Sequence, residues 1–302
     1  MRAIWIIISG ATAFGLIILG KVFGPIAVAE SQGRMQDNHV EQIVFSYIGG
    51  PEHIYIVGLD GSNPRILVDQ QYATFRPVWS PDESHILFTA TINDRHAIGR
   101  VNPDGSGYEI ISDPELSWGD PDYNSAGTNI VFFTDEPHPR NLYILDVATG
   151  ETSLLTNTPD INEASPRWSP DDSAIVFVGR ESGESDIWLI DPATGVRTNI
   201  TRTPDIGEFH PEWAPNGRQV VFIRAGAPEW TVVVMDVQSQ TETVLARGGD
   251  GVVLSPHFSS DGTTVTFTRT SFDDDSEMVP TLVGYSIAEQ IEFTITPATL
   301  FE

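Results

Sequence analysis

An all-β fold, a six-bladed β-propeller of four-stranded antiparallel blades, is predicted by three observations. A phrase recurs about every 45 residues, a strand that is apolar at every position follows it, and turn residues fall at fixed places between strands. The phrase is Trp-Ser-Pro-Asp, found in RPVWSPDESHILF (Arg76 to Phe88) and SPRWSPDDSAIVF (Ser165 to Phe177). Its aromatic position is held by Trp79, Tyr123, Trp168, Trp213 and Phe258, at steps of 44, 45, 45 and 45 residues. Nine residues after each stands a phenylalanine: Phe88, Phe132, Phe177, Phe222 and Phe267. Phe45 keeps the register one step earlier without the phrase. A polar marker, Asp60, Asn102, Asp146, Asp191 or Asp236, ends the third strand of each unit. Fixed-period self-similarity of this length is the mark of a repeat architecture.

Each element has its own warrant. The units fall near 41–75, 76–120, 121–164, 165–209, 210–254 and 255–302. In the fourth, the strands read PRWS, AIVFVG, DIWLID and RTNIT. A continuous apolar run such as AIVFVG fits a strand buried on both faces. Short antiparallel strands with such burial suit blades packed face to face around an axis. In the phrase, Ser opens a type I turn, Pro presets φ at the next position, and Asp fits the third. The residue after Asp or Asn is expected at positive φ, which suits Gly217 and Gly262 and should cost roughly 1 kcal/mol at Glu83 and at Asp172. The phrase aromatics are expected to fill the space between blades. The first unit lacks a convincing first strand, and either chain end could complete the ring.

These residues carry a resemblance. The pattern P-x-W-S-P-D-x-x-x-I-x-F, then D-I-W-L-I-D-x-x-x-G, then L/I-T resembles the TolB-like six-bladed β-propeller family, with its WD40-like repeats, over about residues 41 to 297. The resemblance implies the propeller fold. Relatives in that family include periplasmic scaffold proteins and the propellers that cap prolyl-oligopeptidase-type enzymes. The repeats are expected to occupy residues 30–302 as a single domain, without room for a further α/β or hydrolase domain. Fold alone does not give function.

The N-terminus reads differently. Met1-Arg2 precedes an apolar stretch from Ile4 to Gly20, and Ala27-Val28-Ala29 precedes Glu30. Residues 1–29 therefore read as a cleaved secretory signal or as an uncleaved anchor, since 17 apolar residues reach the lower limit for spanning a bilayer. Either reading puts the rest of the chain outside the cytoplasm, periplasmic, secreted or membrane-anchored.

Composition narrows the chemistry. Formal net charge is -26, with 42 acidic and 16 basic residues, and Lys21 is the only lysine. Such a surface repels phosphate backbones and excludes nucleic acid as an expected partner. It suits a basic protein partner, a cation or a saline exterior. With no cysteine, disulfides, thiol catalysis and Cys-ligated zinc are excluded. There is no Gly-x-Ser-x-Gly elbow, no His-Glu-x-x-His helix and no phosphate loop. No catalytic residue or cofactor is assigned.

Meander topology sorts the loops. Loops entering first strands share a face with loops between second and third strands, and the Ser-Pro-Asp turns lie on the opposite face. The 2–3 loops on the first face differ from unit to unit, as binding loops on a regular scaffold do. The entry loops TNTPDINEASP and TRTPDIGEFHP share Thr-x-Thr-Pro-Asp-Ile-x-Glu, which places Asp160 with Asp205 and Glu163 with Glu208 on adjacent blades. Asp113, Glu115 and Asp120 come from the corresponding loop before them, and Arg180, Arg224 and Arg269 recur at second-strand ends. Two readings stay open: a self-contained ring of acids and arginines, or a charged rim for a partner or small polar ligand. His210 and His257 stand at nearby positions in successive units, as loop histidines or as a pair near the channel mouth that binds a metal or titrates. Two acidic runs, Asp120 to Asn124 and Asp273 to Glu277, admit a divalent cation such as calcium only weakly. The first lacks the Gly and closing Glu of a calcium loop.

The expected function is a non-catalytic extracytoplasmic scaffold that binds a protein partner and touches a membrane only through its N-terminal segment. The alternative is a hydrolase or lyase acting on glycans or peptides at the channel mouth.

Overall fold

The computed structural model describes residues 42–48, 53–58, 65–70, 72–113, 116–135, 139–181, 183–226, 228–272 and 278–295, with three short strands Ile4–Trp5, Ile17–Ile18 and Ile26–Glu30. Five complete four-stranded antiparallel blades follow one another in chain order. Each is a simple meander. Their inner strands are Thr74–Trp79, Trp118–Tyr123, Asn162–Trp168, Gly207–Trp213 and Val253–Phe258. A further sheet, described in part, pairs Ile26–Glu30, Gln42–Ile48, Ile54–Gly58 and Arg65–Val68 in that order. The first two short strands pair only with each other. Among the described residues no helix is long and apolar enough to cross a membrane.

The core lies between blades. Phe88 packs in a cluster with Val44, Ile54 and Ile56 of the preceding sheet, while its neighbour Leu87 packs with Trp118, Tyr123 and Phe132 of the next blade. Alternate side chains of a strand point to opposite faces, so a strand between two neighbours must be apolar at every position. Phe88, Phe132, Phe177, Phe222 and Phe267 are all fully buried. The phrase aromatics sit in the same inter-blade layers, as expected.

The turns form as their residues dictate. The Glu83 N–H donates to the Ser80 carbonyl at 2.9 Å, closing the turn. The Asp82 carboxylate accepts the Ser80 and Ser84 hydroxyls at 2.6 and 2.7 Å, and these bonds hold its pKa down at about 2. Glu83 and Asp172 adopt φ of 60°, close to the 64–70° of Gly127, Gly217 and Gly262 at the same place. Asp172 has compensation, because its carboxylate accepts the Ser125 N–H and hydroxyl of the preceding blade at 2.7 and 2.8 Å.

Candidate channel site

Every inner strand of the five blades contains a residue followed by proline, three places before the phrase aromatic. These are Arg76, Asp120, Ser165, His210 and Ser255. Proline cannot donate to the ladder. At each of these places the register shifts, which is a β-bulge. All five residues lie at φ between 47° and 57°, a left-handed conformation that costs a residue with a Cβ about 1–2 kcal/mol. Strain repeated at one level of a fold marks a level worth testing for function.

The bulges turn these five side chains towards one another. Arg76 Nε lies 3.4 Å from Asp120 Oδ1, and Ser165 Oγ donates to Asp120 Oδ2 at 3.0 Å. Arg76 Nη2 donates to His210 Nε2 at 3.0 Å, across 134 residues of chain. His210 Nδ1 lies 3.3 Å from Ser255 Oγ. Five equivalent positions on five blades thus meet as one girdle around the axis, on the entry-loop side.

A second girdle lies two residues further along the same strands. Arg167 Nε stands 3.5 Å from Glu212 Oε2, and His257 Nδ1 stands 3.4 Å from the same oxygen. Asp122 Oδ2 accepts the Trp168 N–H at 2.7 Å. Burial pushes the Asp122 carboxyl up to about 7, Arg167 opposes that rise, and Glu212 adds to it. The axis is therefore lined with charged and polar groups, where an isolated charge would be costly to bury.

The geometry limits the chemistry. A guanidinium only donates, so the Arg76 bond occupies the lone pair of His210 Nε2 and places the ring proton on Nδ1, facing Ser255. Burial, followed by Arg76, His257 and Arg167, holds His210 well below the ordinary histidine range. A histidine so placed is a poor base for Ser255, since a base-orienting carboxylate is replaced by a cation. Among the described residues no group of three His, Asp or Glu side chains could hold a metal ion. The acidic run from Asp120 to Asn124 lies mostly in the inner strand Trp118–Tyr123.

The rim residues divide into two sets. Asp160 and Asp205 are exposed at the tips of their entry loops. Glu163 and Glu208 are fully buried. Glu163 accepts the Thr158 hydroxyl at 3.0 Å and the Leu142 N–H at 3.3 Å, accepts the Thr156 hydroxyl, and lies 3.7 Å from Arg197. Glu208 accepts from Thr203 and from Arg224 Nε at 2.7 and 2.9 Å. Burial raises both carboxyls above their ordinary range despite these bonds. The shared Thr-x-Thr-Pro-Asp-Ile-x-Glu motif is thus an internal clasp with one exposed aspartate at its tip.

The arginines also turn inward to their own blades. Arg224 grips Glu242 with two bonds of 2.7 and 2.9 Å, and Arg269 grips Glu292 with two of 2.6 and 2.7 Å. Arg180 Nε donates to the Gly183 carbonyl at 2.6 Å. Asp113 is exposed, while Glu115 and the run Asp273 to Glu277 lie outside the described residues. On the opposite face a cleft of about 400 Å³ lies between two blades, lined by Asp82, Arg100 and Tyr123 among others.

Sequence reasoning left His210 and His257, which both lie in inner strands, open between loop histidines and a pair near the channel mouth, and missed most of their companions. Their signal was present. Arg76, Asp120 and Ser165 stand before an unvarying proline, and Asp122, Arg167 and Glu212 stand just before the aromatic, polar residues within otherwise buried strands.

Comparisons with known proteins agree with this architecture. The family model described as "TolB beta propeller domain" matches residues 42–283. No curated protein matches the chain. Among solved structures, TolB from Acinetobacter baumannii superposes with a TM-score of 0.70 at 19% identity, over 90% of this chain and 63% of that one. The chain thus spans less than two thirds of that TolB. Oligogalacturonate lyase from Vibrio parahaemolyticus gives 0.59 at 15% identity, over 90% and 80%. A puromycin-hydrolyzing peptidase of Mycobacterium tuberculosis gives 0.62 at 12% identity, over 89% and 46%. At such identities the likeness is one of fold. With its repeats, its blades and a family model matched over most of its length, the chain belongs to the TolB beta propeller domain family.

Proposed function

We propose that this protein is a non-catalytic binding propeller of six blades, outside the cytoplasm, that engages a basic protein partner at the entry-loop face. The observation that carries this reading is the division within the rim. Glu163, Glu208, Arg224 and Arg269 are engaged inside the scaffold, whereas Asp160 and Asp205 stand exposed at equivalent places on adjacent blades. A net charge of -26 adds long-range attraction for a cationic surface. The sheet formed by Ile26–Glu30 and its three partners supplies the sixth blade. The test is chemical crosslinking in envelope extract of the source cell, comparing the wild type with Asp160→Arg/Asp205→Arg. Because both positions are exposed, the double variant should fold normally. A crosslinked protein lost in the variant and weakened by salt supports the reading; one retained at full yield overturns the rim as the binding face.

A second reading has one observation of its own. A carboxyl with a pKa of about 7, as at Asp122, suits general acid–base work near neutral pH. On this reading the channel belongs to a hydrolase or lyase of glycans or peptides. Turnover of oligosaccharide or peptide libraries that is abolished in Asp122→Asn would favour it over the scaffold.

A further inference from the structure

Strand Ile26–Glu30 runs antiparallel to Gln42–Ile48, with Ile26 opposite Ile48 and Glu30 opposite Val44. At its Glu30 end that register matches the five complete blades, although the pair runs on without the bulge that they share. There, Val78, Asp122, Arg167, Glu212 and His257 stand opposite Leu87, Val131, Val176, Val221 and Thr266. Each of those partners immediately precedes the second-strand phenylalanine, as Val44 precedes Phe45. Glu30 therefore occupies the sixth register position of the turn-side girdle.

The neighbours of the strand agree. Ile26–Glu30 lies against Val253–Phe258, Thr264–Phe272 and Met278–Ser286 of the last blade, and touches Thr74–Trp79 of the next. Asn162–Trp168 lies in the same way against the first three strands of the blade before it. Register and packing independently make Ile26–Glu30 the inner strand that joins the last blade to the first.

This strand spans the site where the small-x-small pattern invites cleavage. A cut after Ala29 would remove four of its five residues. It would leave Gln42–Ile48 as an unpaired edge, a liability that folded sheets avoid. The strand also has a direction. Inner strands run from the entry-loop face to the Ser-Pro-Asp face, so Ile26 lies at the entry-loop end. Only the five residues 21–25 separate it from the apolar stretch that ends at Gly20. Five residues reach at most about 18 Å.

We infer that the apolar N-terminal segment is retained in the mature protein and holds the propeller to a membrane with its entry-loop face towards the bilayer. The segment then has two roles, as membrane anchor and as the lead into the closing strand. Anchoring of this kind does not depend on what the entry-loop face binds, so it stands or falls apart from the scaffold reading.

The test uses the full chain, produced in a bacterial envelope with a C-terminal tag. Intact mass of the folded protein should include residues 1–29, and the protein should stay with membranes through a high-salt wash. A soluble, folded protein beginning at Glu30 overturns the inference. Val28→Pro should lower the unfolding midpoint of the membrane-bound chain; an unchanged midpoint removes the closing-strand role. Orientation is read separately. The chain has no cysteine, so Asp160→Cys and Ser173→Cys each give one exposed labelling site, on opposite faces. A fluorophore at the first should be quenched more strongly by a lipid-borne quencher than one at the second. Equal quenching, or the reverse order, overturns the orientation.

Discussion

Asp122 shows how a single position can reverse the usual pH behaviour of a carboxylate. Its folded pKa, about 7, lies above the ordinary aspartate value. The folded state therefore holds a proton that the unfolded state has released over roughly pH 4–7. This group's contribution is fully present below about pH 4 and is lost as pH rises through 7. His210 has the opposite sign, because its depressed pKa makes its contribution fall away on the acid side of the histidine range. Asp122→Asn keeps an oxygen for the Trp168 N–H and removes only the titration. Its stability relative to wild type should rise with pH between 4 and 7, by up to about 4 kcal/mol. Urea unfolding of both proteins at pH 5 and pH 8 measures this, and parallel pH profiles would refute it. Glu83 gives a second residue-scale prediction. It holds φ of 60°, and among the described residues its carboxylate has no bond across the blade boundary of the kind Asp172 makes. Glu83→Gly should stabilise by about 0.5–1 kcal/mol, and Asp172→Gly should not, because it also removes the bonds to Ser125. Thermal unfolding of the two variants decides.

Clasps between neighbouring elements carry the next level. Glu163 accepts bonds from the Leu142 N–H of the preceding blade and from Thr156 and Thr158 of its own entry loop. Glu163→Ala would leave buried hydroxyl and N–H groups without that acceptor and should cost about 2–4 kcal/mol. Glu163→Gln, which keeps an acceptor oxygen, should cost less. The order of the two midpoints in denaturant is the readout, and equal losses would mean that charge, not hydrogen bonding, holds the clasp. The inner strands follow another logic. Proline interrupts each ladder at one place, the bulge there aims the preceding side chain at the axis, and the chemistry of that side chain is free to differ from blade to blade. Hence Arg, Asp, Ser, His and Ser share one structural position.

For the molecule as a whole, the charge balance dominates. A net charge of -26 on 302 residues repels itself at low ionic strength. Salt screens such repulsion over a Debye length of about 8 Å at physiological strength and about 3 Å at 1 M. The unfolding midpoint should therefore rise between low and molar sodium chloride, as expected for a protein suited to a saline exterior. A midpoint that is flat or falls with salt would show that paired charges, such as Arg224 with Glu208 and Glu242, matter more than the net surplus.

The sequence by itself determined the blade repeat, the turn chemistry and the inter-blade core. Each depends on spacing along the chain: a 45-residue step, a Ser-Pro-Asp turn, an apolar run such as Ile175 to Val178. Local propensity and alternation suffice to read them. Only the tertiary structure decided which polar residues meet. Arg76 and His210 are 134 residues apart, and no local rule pairs them until the blades bring equivalent positions to one axis. The rim divided for the same reason. Asp160 and Glu163 look alike in the loop sequence, yet one is exposed and the other fully buried, because the second packs against the preceding blade at Leu142 and the first stands at the loop tip. Burial belongs to the packed assembly of blades, and a linear pattern carries it only where a strand's periodicity reports it.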